Sequence, residues 1–292
     1  LNAAVLATGL AEGGRDGARA ALRAFWLDVS AAGGCFGTGL AAAPLAAFNL
    51  DANPFYQWGQ QFMRLFSPYQ FNPLGTNPLR EVLGRHVRED ALRRGALALF
   101  VTATAVRTGQ PRVFRRDDVT LDALLASACL PQLFQAVTVD GQPYWDGGYS
   151  GNPALWPLIY ETDAIDLLLV KINPLVRPDL PDTPAEIADR VNEITFNAGL
   201  LAELRAIGFV QRLVADGRLD GMPYKSLRLH QVADDAALAP LNASSKLNTE
   251  RAFLERLHDL GWAAADRWLL AHRGDIGRRA TLDPADVLRA GA

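Results

Sequence analysis

The sequence is poor in the residues that carry metal and redox chemistry. Only two of its 292 residues are cysteines, Cys35 and Cys129, and they form neither a disulfide framework nor a metal-ligand set. The four histidines are His86, His230, His258 and His272. None is spaced from another as metal ligands are, and no acidic calcium-binding loop occurs. We therefore expect neither a metal nor another cofactor, and we expect the histidines to lie at the surface.

Charge and long apolar segments are also scarce. The formal net charge is −3, which gives no long-range attraction for nucleic acid or anionic lipid. We therefore expect no nucleic-acid partner, and any membrane contact has to be local and apolar. No run of about eighteen apolar residues is present, and no export signal with a charged start and a small-residue cleavage site is visible. On this ground the expected location is the cytoplasm.

What is present fits a large α/β domain. Hydrophobic residues make up 49% of the chain, enough for an extensive core. Apolar strand-like segments, among them Leu97–Val106 and Ile165–Ile172, alternate with helical ones, which predicts a three-layer α/β/α fold with buried strands. The last third is mostly helical and begins with the capping box Thr183–Glu186. We predict an α/β core over residues 1–180 and a helical extension packed on it over residues 181–292.

The chain begins inside a helical pattern that has no N-terminal cap, Leu1–Leu10. Domains seldom begin within an element, so we expect further residues upstream of Leu1 in the native protein. Gly13 and Gly14 are predicted to end this helix, and a second helix is predicted from Asp16 to Ala31.

Three local signals predict element boundaries further along. Asn77–Pro78 is typical of a helix start, with Asn as the N-cap and Pro in the first turn. Thr120 is predicted to cap a helix that runs to Cys129, because Pro131 stops it. Asp140–Gly141 predicts a two-residue hairpin turn between strands at 134–139 and 142–145.

Residues 32–76 differ in amino-acid composition from the segments on either side. An Ala- and Gly-rich stretch precedes a helix dense in aromatics, Phe55–Phe66. We interpret the whole segment as an inserted cap, and two roles for its aromatics stay open. Either the segment covers a pocket or meets lipid as a peripheral membrane surface through Phe55–Phe71, or its rings fill a local core. The same surface could pair subunits, so the oligomeric state is undetermined.

A single acidic residue in a glycine-rich turn is the centre of the functional prediction. Asp146 is followed by Gly147 and Gly148, between the hairpin and a helix that Asn152–Pro153 is predicted to open at Ala154. Glycines permit positive φ and close backbone approach, so Asp146 can be presented to a cleft while Gly147, Gly148 and Asn152 shape the turn. An isolated D-G-G is more typical of a helix N-terminal turn with a capping Asp.

Two other patterns carry less weight. Gly33–Gly37 matches a G-x-C-x-G elbow by letter, but an elbow follows a buried strand and here a helix precedes it. Ser150 is close to Asp146 in sequence, but neighbours along a chain usually point apart, and no general base accompanies it.

Several segments, taken together and in order, resemble bacterial patatin-like phospholipases. Leu1–Leu10 looks like the helix that follows the family's elbow, and Phe100–Phe114 looks like its "sATnvrtG" strand pair. Ala126–Pro131 resembles the A-S-x-x-x-P step, and Asp146–Gly148 resembles the D-G-G motif. Ile194–Asn197 and Ser244–Asn248 look like the C-terminal extension of one bacterial subgroup.

The resemblance implies a patatin-like acyl-hydrolase fold and a Ser-Asp dyad, in which a serine attacks a lipid acyl ester and the Asp of D-G-G, here Asp146, takes its proton. The family's G-G-G-x-R-G oxyanion loop has no counterpart in the chain, and the serine would fall about four positions before Leu1. We therefore expect the intact protein to hydrolyse lipid esters and the 292-residue chain alone to be inactive. The alternative is a non-catalytic patatin-like fold that binds acyl lipid or a partner protein.

A dyad places one physical requirement on Asp146. A carboxylate accepts a serine proton effectively only if a dry, apolar setting has raised its pKa. Trp145, Tyr149 and Leu155–Leu158 are candidates for that setting, so we predict that the pKa of Asp146 lies above its ordinary value.

Overall fold

The computed structural model describes residues 1–33, 44–177, 179–222 and 224–289. The chain divides into two compact units, Leu1–Asn152 with Ser244–Leu254, and Pro153–Ala243 with Glu255–Ala292. Residues 34–43, which include Cys35 and part of the predicted cap, lie outside the described residues.

The first helix, α1 (Asn2–Ala32), consists of two segments that fold back on each other. The break falls at Gly13 and Gly14, and Gly14 has a φ of 62° that favours glycine. The two segments are linked where Trp26 Nε1 donates a hydrogen bond of 3.0 Å to Asn2 Oδ1. The predicted break at Gly13–Gly14 is confirmed.

The remaining helices of this unit are short: α2 (Pro54–Leu65), α3 (Pro68–Phe71), α4 (Pro78–His86), α5 (Glu89–Arg94) and α6 (Leu121–Ala126). Asn77 Oδ1 accepts from the Leu79 amide at 3.0 Å, which confirms the predicted start of α4. The Thr120 cap of α6 is confirmed as well, but the helix ends at Ala126 rather than at Cys129. Pro131 has no N–H to bond the Ser127 carbonyl, and that carbonyl accepts from Gly147 instead.

A four-stranded antiparallel sheet forms the other layer of this unit. Its strands are β1 (Phe100–Ala105), β2 (Pro111–Arg115), β3 (Val137–Val139) and β4 (Gln142–Asp146), in the order β2-β1-β4-β3. Asp140 and Gly141 both have positive φ, 51° and 74°, so the predicted hairpin turn is confirmed. The register pairs Ala103 with Asp146 and therefore fixes the end of β4 against the centre of the sheet.

The core of the first unit lies between α1, α4, α6 and the sheet. Its fully buried large side chains come from each of these elements and include Phe25, Leu83, Phe114, Leu124 and Leu125.

The chain after residue 152 adds five helices and two strands to the described structure: α7 (Trp156–Glu161), β5 (Asp166–Val170), α8 (Pro184–Ala215), β6 (Arg228–Val232), α9 (Asp235–Leu238), α10 (Arg251–His272) and α11 (Pro284–Arg289). The strands pair in parallel. The capping box at Thr183 and Glu186 is confirmed. The α/β class and the helical C-terminal region are therefore those that the sequence predicts. No helix of the described residues is long and apolar enough to cross a membrane.

Strand β5 differs from its prediction as a strand buried on both faces. Leu167 and Leu169 are buried, whereas Leu168 and Val170 on the other face are 50% and 73% exposed. An unbroken apolar run does not reveal which face of a strand is covered, because that depends on partners distant in sequence.

A polar network in the second unit joins β5, β6 and the segment after α10. Asp166 accepts from Arg228 at 2.8 Å, from the Gly277 amide at 2.9 Å and bonds His230 Nε2 at 3.0 Å. His230 Nδ1 lies 2.9 Å from Thr281 Oγ1. The Arg228 guanidinium, the Gly277 N–H and His230 together hold the pKa of Asp166 well below its usual value.

This network predicts a loss of stability in acid. Because the folded-state pKa of Asp166 is depressed, its contribution is complete well above the unfolded value of about 3.9 and is lost as pH falls below that value. Asp166→Asn should therefore lower the urea midpoint more at pH 7 than at pH 3. The exposed Asp163→Asn is the matched control and should change little at either pH. An Asp166→Asn effect as large at pH 3 as at pH 7 would contradict this role.

Candidate active site

Asp146 ends β4, and its backbone is held from two sides. Its amide donates to the Cys129 carbonyl at 2.8 Å, and its carbonyl accepts from Thr104 Oγ1 at 2.7 Å. Both partners are buried. The position of Asp146 is thus set by α6, whose last turn precedes Cys129, and by the central strand β1.

The carboxyl of Asp146 has one oxygen engaged locally. Oδ1 accepts from the Gly148 amide at 2.7 Å, so Asp146 caps the short 3-10 turn Gly147–Tyr149, as the local interpretation of D-G-G predicts. Within the described part of the chain, no donor reaches Oδ2. Capping and proton transfer can therefore coexist, because they use different oxygens.

The pKa of Asp146 is raised above its ordinary value, the direction predicted from the sequence. Burial is the largest cause, because it disfavours the charged carboxylate. Three weaker effects oppose it: the hydrogen bond from Gly148, and the positive charges of the Leu1 amino group and of Lys246. The setting is dry enough that burial also raises the pKa of Cys129 to about 11 and that of Tyr149 above its usual value.

The start of the first helix lies within electrostatic reach of this carboxyl. Burial lowers the pKa of the Leu1 amino group, and the charge of Asp146 raises it.

Gly147 is required by close packing. A Cβ at this position would lie 2.1 Å from the Thr102 carbonyl oxygen on β1, a distance that no side chain tolerates. Close approach of the backbone, rather than a positive φ, is therefore the reason for the glycine at position 147. Gly148 contributes its amide to Asp146, and Asn152 is half-buried at the end of the loop. The helix predicted to open at Ala154 begins two residues later, at Trp156.

Ser150 and Thr104 form a directed hydrogen-bond chain to the Asp146 backbone. Their hydroxyl oxygens are 2.8 Å apart. Because the Thr104 proton goes to the Asp146 carbonyl, Ser150 has to donate to Thr104 Oγ1. Ser150 thus contacts Thr104 rather than the carboxylate, in agreement with its low weight as a nucleophile. Thr104 was not among the predicted site residues, although a threonine inside an apolar strand is a signal of a buried polar contact.

Thr104→Val should destabilise the protein by about 1–3 kcal/mol, because it leaves the Asp146 carbonyl and the Ser150 hydroxyl without their buried partner. Thr104→Ser retains the hydroxyl and should recover most of that loss. Urea unfolding of the three proteins measures the difference. Equal losses in the Val and Ser variants would show that packing of the methyl group, rather than the hydrogen bonds, is what matters.

The histidines pair with aspartates rather than with each other. His86 bonds Asp28 at 2.8 Å, and His272 bonds Asp275 at 3.0 Å. The expected surface placement is wrong for His230, which is 1% exposed in the Asp166 network. Among the described residues, no three His, Cys, Asp or Glu side chains are grouped as metal ligands.

Comparison with known proteins adds one match. The family model of patatin-like phospholipases matches residues 1–159, a range that includes α1, the four-stranded sheet and Asp146. A search of curated proteins finds no match.

Proposed function

This chain belongs to the patatin-like phospholipase family, whose members act on lipid esters, and we propose that Asp146 is the catalytic base of a Ser-Asp dyad in the intact protein. The observation that carries the proposal is the state of the Asp146 carboxyl. It is desolvated, its pKa is raised, and its Oδ2 accepts no hydrogen bond from the described residues. Such a group is matched to accepting a proton from a weakly acidic hydroxyl.

In the proposed reaction, the serine oxygen attacks the acyl carbon of the ester while its proton passes to Asp146. The tetrahedral intermediate collapses, the C–O bond to the alcohol breaks, and the protonated Asp146 returns the proton to the leaving alkoxide. Water then repeats the sequence on the acyl-serine, with Asp146 again as base, and releases the fatty acid. No step of this reaction involves an oxidation or a reduction.

The serine is proposed to precede Leu1 by about four residues, as in a G-x-S-x-G elbow that leads into a helix. The start of α1 lies within electrostatic reach of the Asp146 carboxyl, which supports this placement. Gly147 and Gly148 are proposed to shape the turn that presents Asp146, and Asn152 to border the substrate.

Fatty-acid release tests the proposal. We compare the 292-residue chain with the same chain preceded by the residues encoded upstream of Leu1, using a phospholipid and a neutral acyl ester in the presence of EDTA. The longer protein should hydrolyse at least one ester, and the shorter one neither. If both are folded and inactive, the non-catalytic interpretation is correct; if the shorter one is equally active, the serine lies elsewhere.

A further inference from the structure

Helix α2 presents an aromatic surface to solvent. Phe55, Trp58, Phe62 and Leu65 recur at i, i+3, i+7 and i+10, which places them on one face of α2, and Phe66 follows directly at the end of the helix. We refer to these five residues as the aromatic stripe. Phe55 is 85% exposed, Trp58 70% and Leu65 77%, so the stripe does not fill a local core. Of the two roles left open by the sequence, these exposures favour a surface that meets something outside the protein.

The stripe is already ordered by contacts within the unit. Trp58 stacks on Phe62 at 5.7 Å between ring centroids, and Phe62 contacts Phe66 at 4.7 Å and Phe71 at 5.9 Å. The helix start is capped by Asn53 Oδ1, which accepts from the Phe55 amide at 2.9 Å. A preformed apolar helix face loses little conformational entropy when it is covered.

The charge around the stripe identifies the kind of surface that fits it. Residues 44–79 contain only two charged side chains, Asp51 and Arg64. The formal net charge of the whole chain is −3, which opposes an anionic surface. A segment with few charged residues and with exposed Trp and Phe is instead typical of contact with the boundary between lipid head groups and acyl chains.

A second copy of the chain is the other possible occupant. A stable homodimer buries about 800 Å² on each partner. The stripe occupies one face of a 12-residue helix, roughly 18 Å long, which is small for such an interface. A bilayer sets no such minimum, since insertion of a few aromatic side chains is enough for reversible binding.

We propose that the aromatic stripe of α2 docks the protein on a lipid surface whose head groups carry no net charge. The proposal rests on the proposed function in that lipid esters, the substrate class, are found in such surfaces. Binding occurs through the side chains of Phe55 and Trp58, and it requires neither anionic lipid nor turnover.

Flotation with phosphatidylcholine vesicles tests the proposal on the 292-residue chain, and it needs no catalytic activity, so its outcome is independent of the Ser-Asp dyad. Phe55→Ala with Trp58→Ala should lower the partition coefficient by more than about tenfold, because two exposed aromatic side chains no longer leave water. Trp262→Ala is the matched control, since Trp262 is 60% exposed in the second unit, and it should bind as the wild type does.

Two further measurements make the outcome decisive. Raising the salt concentration or replacing part of the phosphatidylcholine by phosphatidylglycerol should not strengthen binding. The proposal is overturned if the wild type does not bind phosphatidylcholine vesicles, whether or not it binds anionic ones or forms a dimer that the double variant disperses. It is also overturned if the double variant binds as well as the wild type. Circular dichroism of each variant verifies that the fold is retained.

Discussion

Asp146→Asn is expected to lower kcat for a lipid acyl ester roughly ten-thousandfold in the intact protein, the scale of losing the carboxylate of a catalytic serine site. The amide oxygen can still accept from Gly148, so the 3-10 turn is kept, but an amide cannot take the serine proton. KM should change little, because the substitution is nearly isosteric. Steady-state kinetics on the longer protein described above measure both constants.

The same substitution should not weaken the fold. Because burial raises the folded-state pKa of Asp146, stability is lost as pH rises above the unfolded value of about 3.9, where the unfolded carboxyl ionises more readily. The uncharged amide removes this penalty, so Asp146→Asn should be at least as stable as the wild type at pH 7. Asp140→Asn is the matched control: its side chain is exposed, and Asn tolerates the positive φ at that position.

The acidic limb of the pH-rate profile gives a second test of the base. The rate should rise as Asp146 ionises, with an apparent pKa above the ordinary value of about 3.9. An Asp146→Asn enzyme that keeps the wild-type kcat, or a wild-type profile that is flat above pH 4, would remove Asp146 from the mechanism.

Gly147→Ala is expected to destabilise the protein by about 3 kcal/mol, and by more if the sheet cannot adjust. The added Cβ would lie 2.1 Å from the Thr102 carbonyl oxygen, which is fixed within β1 and cannot rotate away as a flexible side chain would. Relief requires β1 and the turn to separate, which would displace Asp146 and lower activity as well. Urea unfolding and ester hydrolysis measure the two effects.

Gly84→Ala is the matched control for this prediction. Gly84 lies inside α4, and a Cβ there would have no neighbour within 4 Å. Alanine is favoured over glycine in a helix, so this variant should gain up to about 1 kcal/mol. If Gly147→Ala were as stable as the wild type, close packing could not be the reason for the glycine.

The features predicted correctly from the sequence are those fixed by a few adjacent residues. The Asp140–Gly141 turn, the Asn77 cap and the Thr183 capping box each depend on backbone preferences or hydrogen bonds within a few positions. The break in α1 at Gly13–Gly14 belongs to the same group. Local chemistry decides such boundaries, so sequence patterns can predict them.

The predictions that were wrong, and the features that were missed, depend on partners that are distant in sequence. The exposure of one face of β5 and the burial of His230 are decided by what packs on each strand. At the site, Thr104 is 42 residues from Asp146, and Lys246 is farther still. The tight turn at Asp146 was predicted because the glycines beside it leave a local signal, whereas the sequence does not show that Thr104 and Cys129 are the partners that hold the Asp146 backbone.

The most direct test of the account is to map where a fluorophosphonate probe reacts in the protein that includes the residues upstream of Leu1. Mass spectrometry of the labelled protein should find the probe on one serine a few residues before Leu1, with the labelling rate greatly reduced in Asp146→Asn. Labelling of Ser150, or a labelling rate that is the same with and without the Asp146 carboxylate, would contradict the account.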